Sequence, residues 1–138
     1  MSGYGMSVND TTIWWQVYPL GFTGAPIRPS NEGERALTPR LDAIIPWLDY
    51  LIDMGANGLL LGPVFASETH GYDTVDYYRI DSRLGDDAAF DRLIDACRSR
   101  GIRVMLDGVF NHVGRSFPAF RDALAGHGHE SMLSLIHI

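Results

Sequence analysis

Asp107, Asn111 and His112 close an apolar run, GIRVMLDGVFNH from Gly101 to His112, and offer a carboxylate, an amide and an imidazole. Such groups supply hydrogen-bond acceptors and donors in fixed directions, which suits a ligand rich in hydroxyls. Asp107 and Asn111 are four residues apart, so on an extended chain their side chains leave the same face, and His112 follows where the strand turns. A second group is His70, Gly71, Tyr72 and Asp73. Its tyrosine ring can lie flat against the apolar face of a sugar while the neighbouring His and Asp take hydroxyls. Both groups also have a plainer reading, because Gly and Asp form turns and an isolated histidine is often a satisfied packing residue. Tyr77 and Tyr78 read as packing residues.

Other chemistries find less support. His127, His129 and Glu130 have a metal-like spacing, but the flanking glycines argue against a fixed ligand set. The glycines form neither a G-x-G-x-x-G fingerprint nor a phosphate-binding loop, and no G-x-S-x-G elbow is present. The single cysteine, Cys97, falls on an apolar helix position and reads as a buried, inert thiol.

The polar groups need elements to position them. Ile13 to Pro19, IWWQVYP, is β-branched and aromatic with a proline stop, which predicts a buried strand. Residues 21–40 have no periodicity and predict a long loop. Leu41, Ile44, Ile45, Leu48, Leu51 and Ile52 form a helical stripe, with Asp42, Asp49 and Asp53 off it. Pro46 interrupts the stripe. Either the helix begins near Thr38 and kinks, or its regular part begins around Pro46, where a missing N–H is harmless; the second is favoured. Gly55 ends it.

Asn57 to Phe65, NGLLLGPVF, reads as a strand buried on both faces, and ASETHGYDTVDYYRID after it as another long loop. Asp86 and Asp87 cap a helix whose inward stripe is Phe90, Leu93, Ile94 and Cys97, with Arg98 and Arg100 favourably placed at its carboxyl end. Gly101 ends that helix. Val104 and Leu106 are expected inside the third strand, and Phe117, Phe120 and Leu124 on a short helix ended by Gly126.

The order strand, helix, strand, helix, strand is that of a parallel α/β fold with long loops after the strands, where ligands bind. Two architectures remain open: a doubly wound, flavodoxin-like sheet nearly complete in 138 residues, or part of a (β/α)8 barrel, which takes about 250 residues. The composition, 46% hydrophobic and 20% charged, is that of a globular domain. A net charge of -6 disfavours nucleic acid and anionic membranes as partners. The amino terminus has no basic region followed by an apolar run, and no stretch approaches a membrane span, so a cytoplasmic protein is expected. Residues 133–138 stop in an apolar run without a cap and are expected to be a truncated or non-native end.

LDGVFNH, from Leu106 to His112, resembles the first signature region of the α-amylase family of glycoside hydrolases, Asp, three residues, Asn, His. IWWQVYP looks like that family's first barrel strand, and GPVFASETHGYDTVDYYRID like its second strand and following loop. The likeness covers Thr11 to Met132 and is closest to neopullulanase, cyclomaltodextrinase and maltogenic amylase members. It implies a partial catalytic domain over 11–132, about three βα units of a truncated (β/α)8 TIM barrel.

By residue matching the likeness implies that Tyr72 stacks on the sugar before the scissile bond, with His70 beside it. His112 would bind hydroxyls of the same sugar, and Asp107 would brace the site from beneath through an arginine on the next strand. Asn111 matches a position that holds structural calcium in many members and not in others; no further cofactor is implied. The implied substrate is an α-glucan or maltooligosaccharide, cleaved or transferred with retention by two carboxylates about 5 to 5.5 Å apart. In the family these follow strands four and five, so no nucleophile or general acid is assigned in this chain. The 138-residue piece is expected to lack turnover and, with uncovered sheet edges, to fold poorly or aggregate. The alternative within the likeness is a non-catalytic, amylase-like binding or scaffold domain.

Overall fold

A computed structural model describes residues 11–110 and 113–124. Three parallel strands, β1 (Trp14–Val17), β2 (Gly58–Leu61) and β5 (Arg103–Leu106), form one sheet in the order β1-β2-β5. Trp14 lies opposite Gly58 and Gly58 opposite Arg103, and the pairing ends at Val17, Leu61 and Leu106. All three strands therefore finish at the same edge. A flavodoxin-like sheet places its first strand in the middle, whereas β2 is central here, so that reading fails.

β2 is the most apolar strand because it is covered by neighbours on both sides; Leu59 and Leu61 are fully buried. Gly58 is required by close approach, since a Cβ there would sit 2.5 Å from the Trp14 ring. The flanking strands are less buried than their sequences suggest. Ile13 is exposed just before β1, Gln16 is exposed within it, and Met105 and Leu106 of β5 are more than one-third exposed. Among the described residues each of these strands pairs on one side only, which leaves part of its apolar surface uncovered.

The stripe from Leu41 to Leu51 is built as two pieces. Arg40–Ile44 is a 3-10 turn, and α2 (Trp47–Asp53) starts directly after Pro46, as the missing N–H requires. Leu41, Ile44, Leu48 and Leu51 are fully buried, each burial contributing roughly 1.5–3 kcal/mol, whereas Ile52 faces outward. Gly55 adopts φ +89° and returns the chain to β2. α3 (Asp87–Ser99) begins at Asp86, whose carboxylate accepts from the Ala89 N–H at 2.9 Å. Its Leu93 and Cys97 join Leu48, Leu51, Leu59 and Leu61 in one core. Asp42 and Asp49, off the apolar stripe as expected, pair with Arg92 and Arg100 of α3. Gly101, at φ +68°, ends the helix and leads to β5.

Further elements lie outside this βαβαβ core. A short helix, α1 (Pro19–Phe22), follows β1 directly, within what the sequence suggests is strand exit and loop. Residues 65–80 depart further from expectation: β3 (Phe65–Ser67) and β4 (Thr74–Ile80) form an antiparallel hairpin with an irregular register in place of a long loop. The residues of TVDYYRI favour strand, but their burial does not alternate cleanly, so the period-2 signal is absent. Tyr77 packs on Phe65, Phe110 and Phe117 as expected, while Tyr78 projects almost fully into solvent and is no packing residue. α4 (Pro118–Leu124) is short, follows the buried Phe117, and leaves Leu124 exposed. No helix among the described residues is long and apolar enough to cross a membrane.

Candidate functional site

The shared strand edge gathers three segments far apart in sequence. Tyr18 follows β1, the stretch from Gly62 to Asp73 follows β2, and Asp107 follows β5. The backbone continues the sheet for one step past its end, with Gly62 N–H donating to the Val17 carbonyl at 2.8 Å and Asp107 N–H to the Leu61 carbonyl at 2.9 Å. Asp107 is thereby fixed at the carboxyl end of the sheet.

Tyr72 reaches it across 35 residues of sequence, its phenol donating to Asp107 Oδ2 at 3.2 Å. This contact joins the two groups that sequence chemistry singles out separately. Tyr72 remains 41% exposed, so its ring is available to a ligand. Partial burial, then the Asp107 hydrogen bond and charge, push its phenol above the ordinary tyrosine value. It therefore stays a donor at neutral pH. His70 is half-exposed beside it, with ring centroids 6.0 Å apart, and its Nδ1 accepts from the Tyr72 N–H at 3.2 Å.

The turn that presents Tyr72 is held from several sides. Asp73 accepts from the Thr69 N–H at 3.1 Å and from the Thr69 hydroxyl. Burial alone would raise the Asp73 carboxyl, but these bonds and the nearby His70 hold it below the usual carboxylate value. Gly71 has φ +100°, and a Cβ there would lie 2.8 Å from Pro63 Cβ, so glycine is needed for both conformation and space. Tyr18 donates its hydroxyl to the His70 carbonyl at 2.6 Å. The turn reading and the ligand reading of His-Gly-Tyr-Asp are thus compatible: the turn is what aims the ring.

Beneath the hairpin lies a polar core that sequence reasoning missed. Arg83 is fully buried and grips Asp81 bidentately, Nε to Oδ1 at 2.9 Å and Nη2 to Oδ2 at 2.8 Å. Its remaining hydrogens reach the Pro26 carbonyl at 2.7 Å and Ser67 Oγ at 3.0 Å. Burial would raise the Asp81 carboxyl, yet the Arg83 hydrogen bonds and charge, with backbone N–H donors from Arg83 and Ser67, hold it below the usual value. The pair ties the loop after α1 to the hairpin that carries Tyr72. RID and SRL look like ordinary surface sequence, and only the arrival of residues 26–27 overhead makes them an interior.

Asn111 and His112 lie outside the described residues, as do His127, His129 and Glu130. Among the described residues no group of three or more His, Cys, Asp or Glu side chains is placed to hold a metal ion. Cys97 is fully buried in the core, and burial pushes its thiol up to about 11, consistent with an inert packing role. A separate apolar cleft of about 520 Å³ is lined by Val75, Tyr77, Phe110, Phe117 and Ala119 and shares no residue with the Tyr72 and Asp107 pair.

Known proteins are similar to this chain in both sequence and architecture. The family model described as alpha amylase, catalytic domain, matches residues 16–132. Neopullulanase 2 of Thermoactinomyces vulgaris is 48% identical over 127 residues, 81% of this chain and 21% of that protein. A cyclomaltodextrinase of Geobacillus thermopakistaniensis is 42% identical over 125 residues, 82% of this chain and 21% of that protein. Among solved structures, the cyclic α-maltosyl-(1→6)-maltose hydrolase of Arthrobacter globiformis, in complex with cyclic α-maltosyl-(1→6)-maltose, superposes with a TM-score of 0.67 at 31% identity. That match covers 86% of this chain and 29% of the hydrolase. The chain thus spans 21% of the length of these two curated relatives.

Proposed function

The chain belongs to the α-amylase family of glycoside hydrolases, and we propose that it supplies the first three βα units and one sugar subsite of a barrel enzyme that cleaves or transfers at α-glucosidic bonds. The observation that carries the reading is the Tyr72 phenol on the Asp107 carboxylate, at the common carboxyl edge of three parallel strands. Ligands bind at that edge in parallel barrels. Tyr72 offers a flat face to a pyranose ring, His70 stands beside it, and Asp107 fixes the phenol while keeping further lone pairs for a hydroxyl or a cation. His112 is assigned to hydroxyls of the same sugar, and Asn111 to calcium where the ion is used, by family likeness alone.

Relatives named cyclomaltodextrinase and neopullulanase support an α-glucan or maltooligosaccharide as substrate. A further relative, the intracellular maltogenic amylase of Bacillus subtilis, supports a cytoplasmic location. The bond-breaking carboxylates belong to later strands, so the 138-residue chain alone binds at most one end of a substrate and turns nothing over. Two assays test this. The purified chain releases no reducing sugar from maltooligosaccharides, and sustained release overturns the assignment of catalysis to later strands. In a parent barrel carrying those strands, Tyr72→Ala lowers kcat/KM for maltotriose by about tenfold or more, through lost ring contact and lost positioning of Asp107. An unchanged value removes Tyr72 from the site, and a parent without carboxylates after strands four and five is a binding scaffold instead.

A further inference from the structure

Helix α2 buries one row of side chains and leaves another open. Leu48 and Leu51 are fully buried. On one flank of that row Asp49 pairs with Arg100 of α3 at 3.0 Å. Trp47, Tyr50 and Met54, three and four residues apart, line the other flank and are 45%, 53% and 47% exposed. That flank carries a run of rings. Trp15 meets Phe22, Phe22 meets Trp47 and Trp47 meets Tyr50, each edge to face, with centroids 5.8, 5.5 and 5.7 Å apart. Single apolar side chains are ordinary on a protein surface, whereas a contiguous apolar patch marks a contact site.

The place of the run in the fold limits what covers it. Trp15 and Val17 leave β1 on one face, and Val17 belongs to the core that Leu48 and Leu51 build, so the rings lie in the helix layer. α3 connects β2 to β5 and occupies the β5 side of that layer. The rings stand on the other side, beside the edge of β1 that pairs with no strand among the described residues. In a closed barrel the sheet continues past that edge in one rotational sense, and right-handed crossovers keep every helix in the layer of α2 and α3. A two-fold related copy would instead meet β1 antiparallel, or parallel with its helices on the opposite face. The chain spans 21% of the two curated relatives, so the chain that would complete a barrel lies outside these residues. We propose that the rings of Phe22, Trp47 and Tyr50 are the seat of a helix from outside the 138 residues, the helix of the βα unit that closes the parent barrel against β1. The side of that helix facing α2 is apolar, because the flank offers it rings and a thioether and no charge. The inference rests on the reading of the chain as the first three βα units of a barrel.

The test uses the parent barrel enzyme, first as wild type. Hydroxyl-radical footprinting compares Trp47, Tyr50 and Met54 in the native and the urea-unfolded enzyme. Left about half exposed, as in this chain, they are protected only roughly twofold on folding. Beneath an interface packed as densely as a protein interior they are protected about tenfold or more. Protection near twofold overturns the seat. Hydrogen–deuterium exchange then identifies the occupant. Trp47→Ala and Tyr50→Ala each speed exchange of the parent's last helix by about fivefold or more, while α3 keeps its protection. Ile52→Ala, on the Asp49 flank of α2, leaves the last helix unchanged. A last helix that ignores both ring substitutions overturns the proposal. So does a parent that sediments as a dimer in wild type and as a monomer in Trp47→Asp with its last helix still protected, because the occupant is then a second copy. Where Trp47→Ala unfolds the enzyme, Tyr50→Ala and the wild-type footprint decide. A parent whose remaining chain holds no further βα units refutes the barrel reading itself, whereas a complete barrel with twofold protection refutes the seat alone.

Discussion

Removing the Asp81 carboxylate should open the hairpin that supports Tyr72. In the native chain Arg83 is fully buried, with two bonds to Asp81, one to Ser67 and others to the carbonyls of Pro26 and Ile27. Asp81→Ala leaves neutral acceptors around the guanidinium but no counter-charge. Breaking a buried, hydrogen-bonded ion pair from one side costs about 3–5 kcal/mol, because the remaining charge is stranded rather than because the pair itself is worth that much. If local opening and closing are fast, cleavage by trypsin after Arg83 tracks the open population. The predicted rise in cleavage is therefore roughly a hundredfold to several thousandfold. Cleavage after Arg98, exposed on α3 and followed by Ser99, serves as the internal reference. Asp81→Asn, which keeps shape and part of the bonding, should fall between. The pH dependence has a definite sign: the folded Asp81 carboxyl is depressed, so its contribution is fully present above the ordinary carboxylate value of 3.8 and is lost as pH falls through the lower folded value. Equal cleavage after Arg83 in wild type and Asp81→Ala would falsify the account of this pair as the hairpin's anchor.

Three further outcomes follow from particular contacts. Gly71→Ala must place a Cβ at φ +100° and 2.8 Å from Pro63, so it should cost more than about 1 kcal/mol and speed amide exchange across Thr69 to Tyr72; unchanged exchange there removes the steric argument. Asp86→Ala removes the cap on the Ala89 N–H and should weaken the first turn of α3 by about 1 kcal/mol, read from exchange of its amides relative to Leu93. With its thiol raised to about 11, Cys97 carries only about one thiolate in a thousand at pH 8, so alkylation should await unfolding. Prompt labelling of the native chain would show that it is not buried.

Much of the scaffold is legible in the residues because it depends on local rules. The stripe of Leu41, Ile44, Leu48 and Leu51 announces a helix, Pro46 tells where its regular part begins, and Asp86 and Gly101 mark the two ends of α3. The run GLLL announces the most buried strand. The hairpin of residues 65–80 is hidden because β3 has only three residues, the pairing is irregular and neither strand has an alternating face. Edge exposure at Leu106 is hidden for another reason: an apolar strand reads the same whether one neighbour or two cover it.

The site divides along the same line. Residue types and spacing single out His70, Tyr72 and Asp107 as groups that can hydrogen-bond or stack on a hydroxyl-rich ligand, and the proposal of an α-glucan rests on family likeness. Tertiary structure decided that Tyr72 and Asp107 meet, since 35 residues separate them and only parallel pairing of β2 with β5 brings their strand ends together. It alone decided that Asp81 and Arg83 form an interior ion pair and that Glu68 faces Ser116. The physical reason is that a side chain's chemistry is carried by its own residue, whereas its burial, its partner and the charge opposite it are set by segments that sequence does not place beside it.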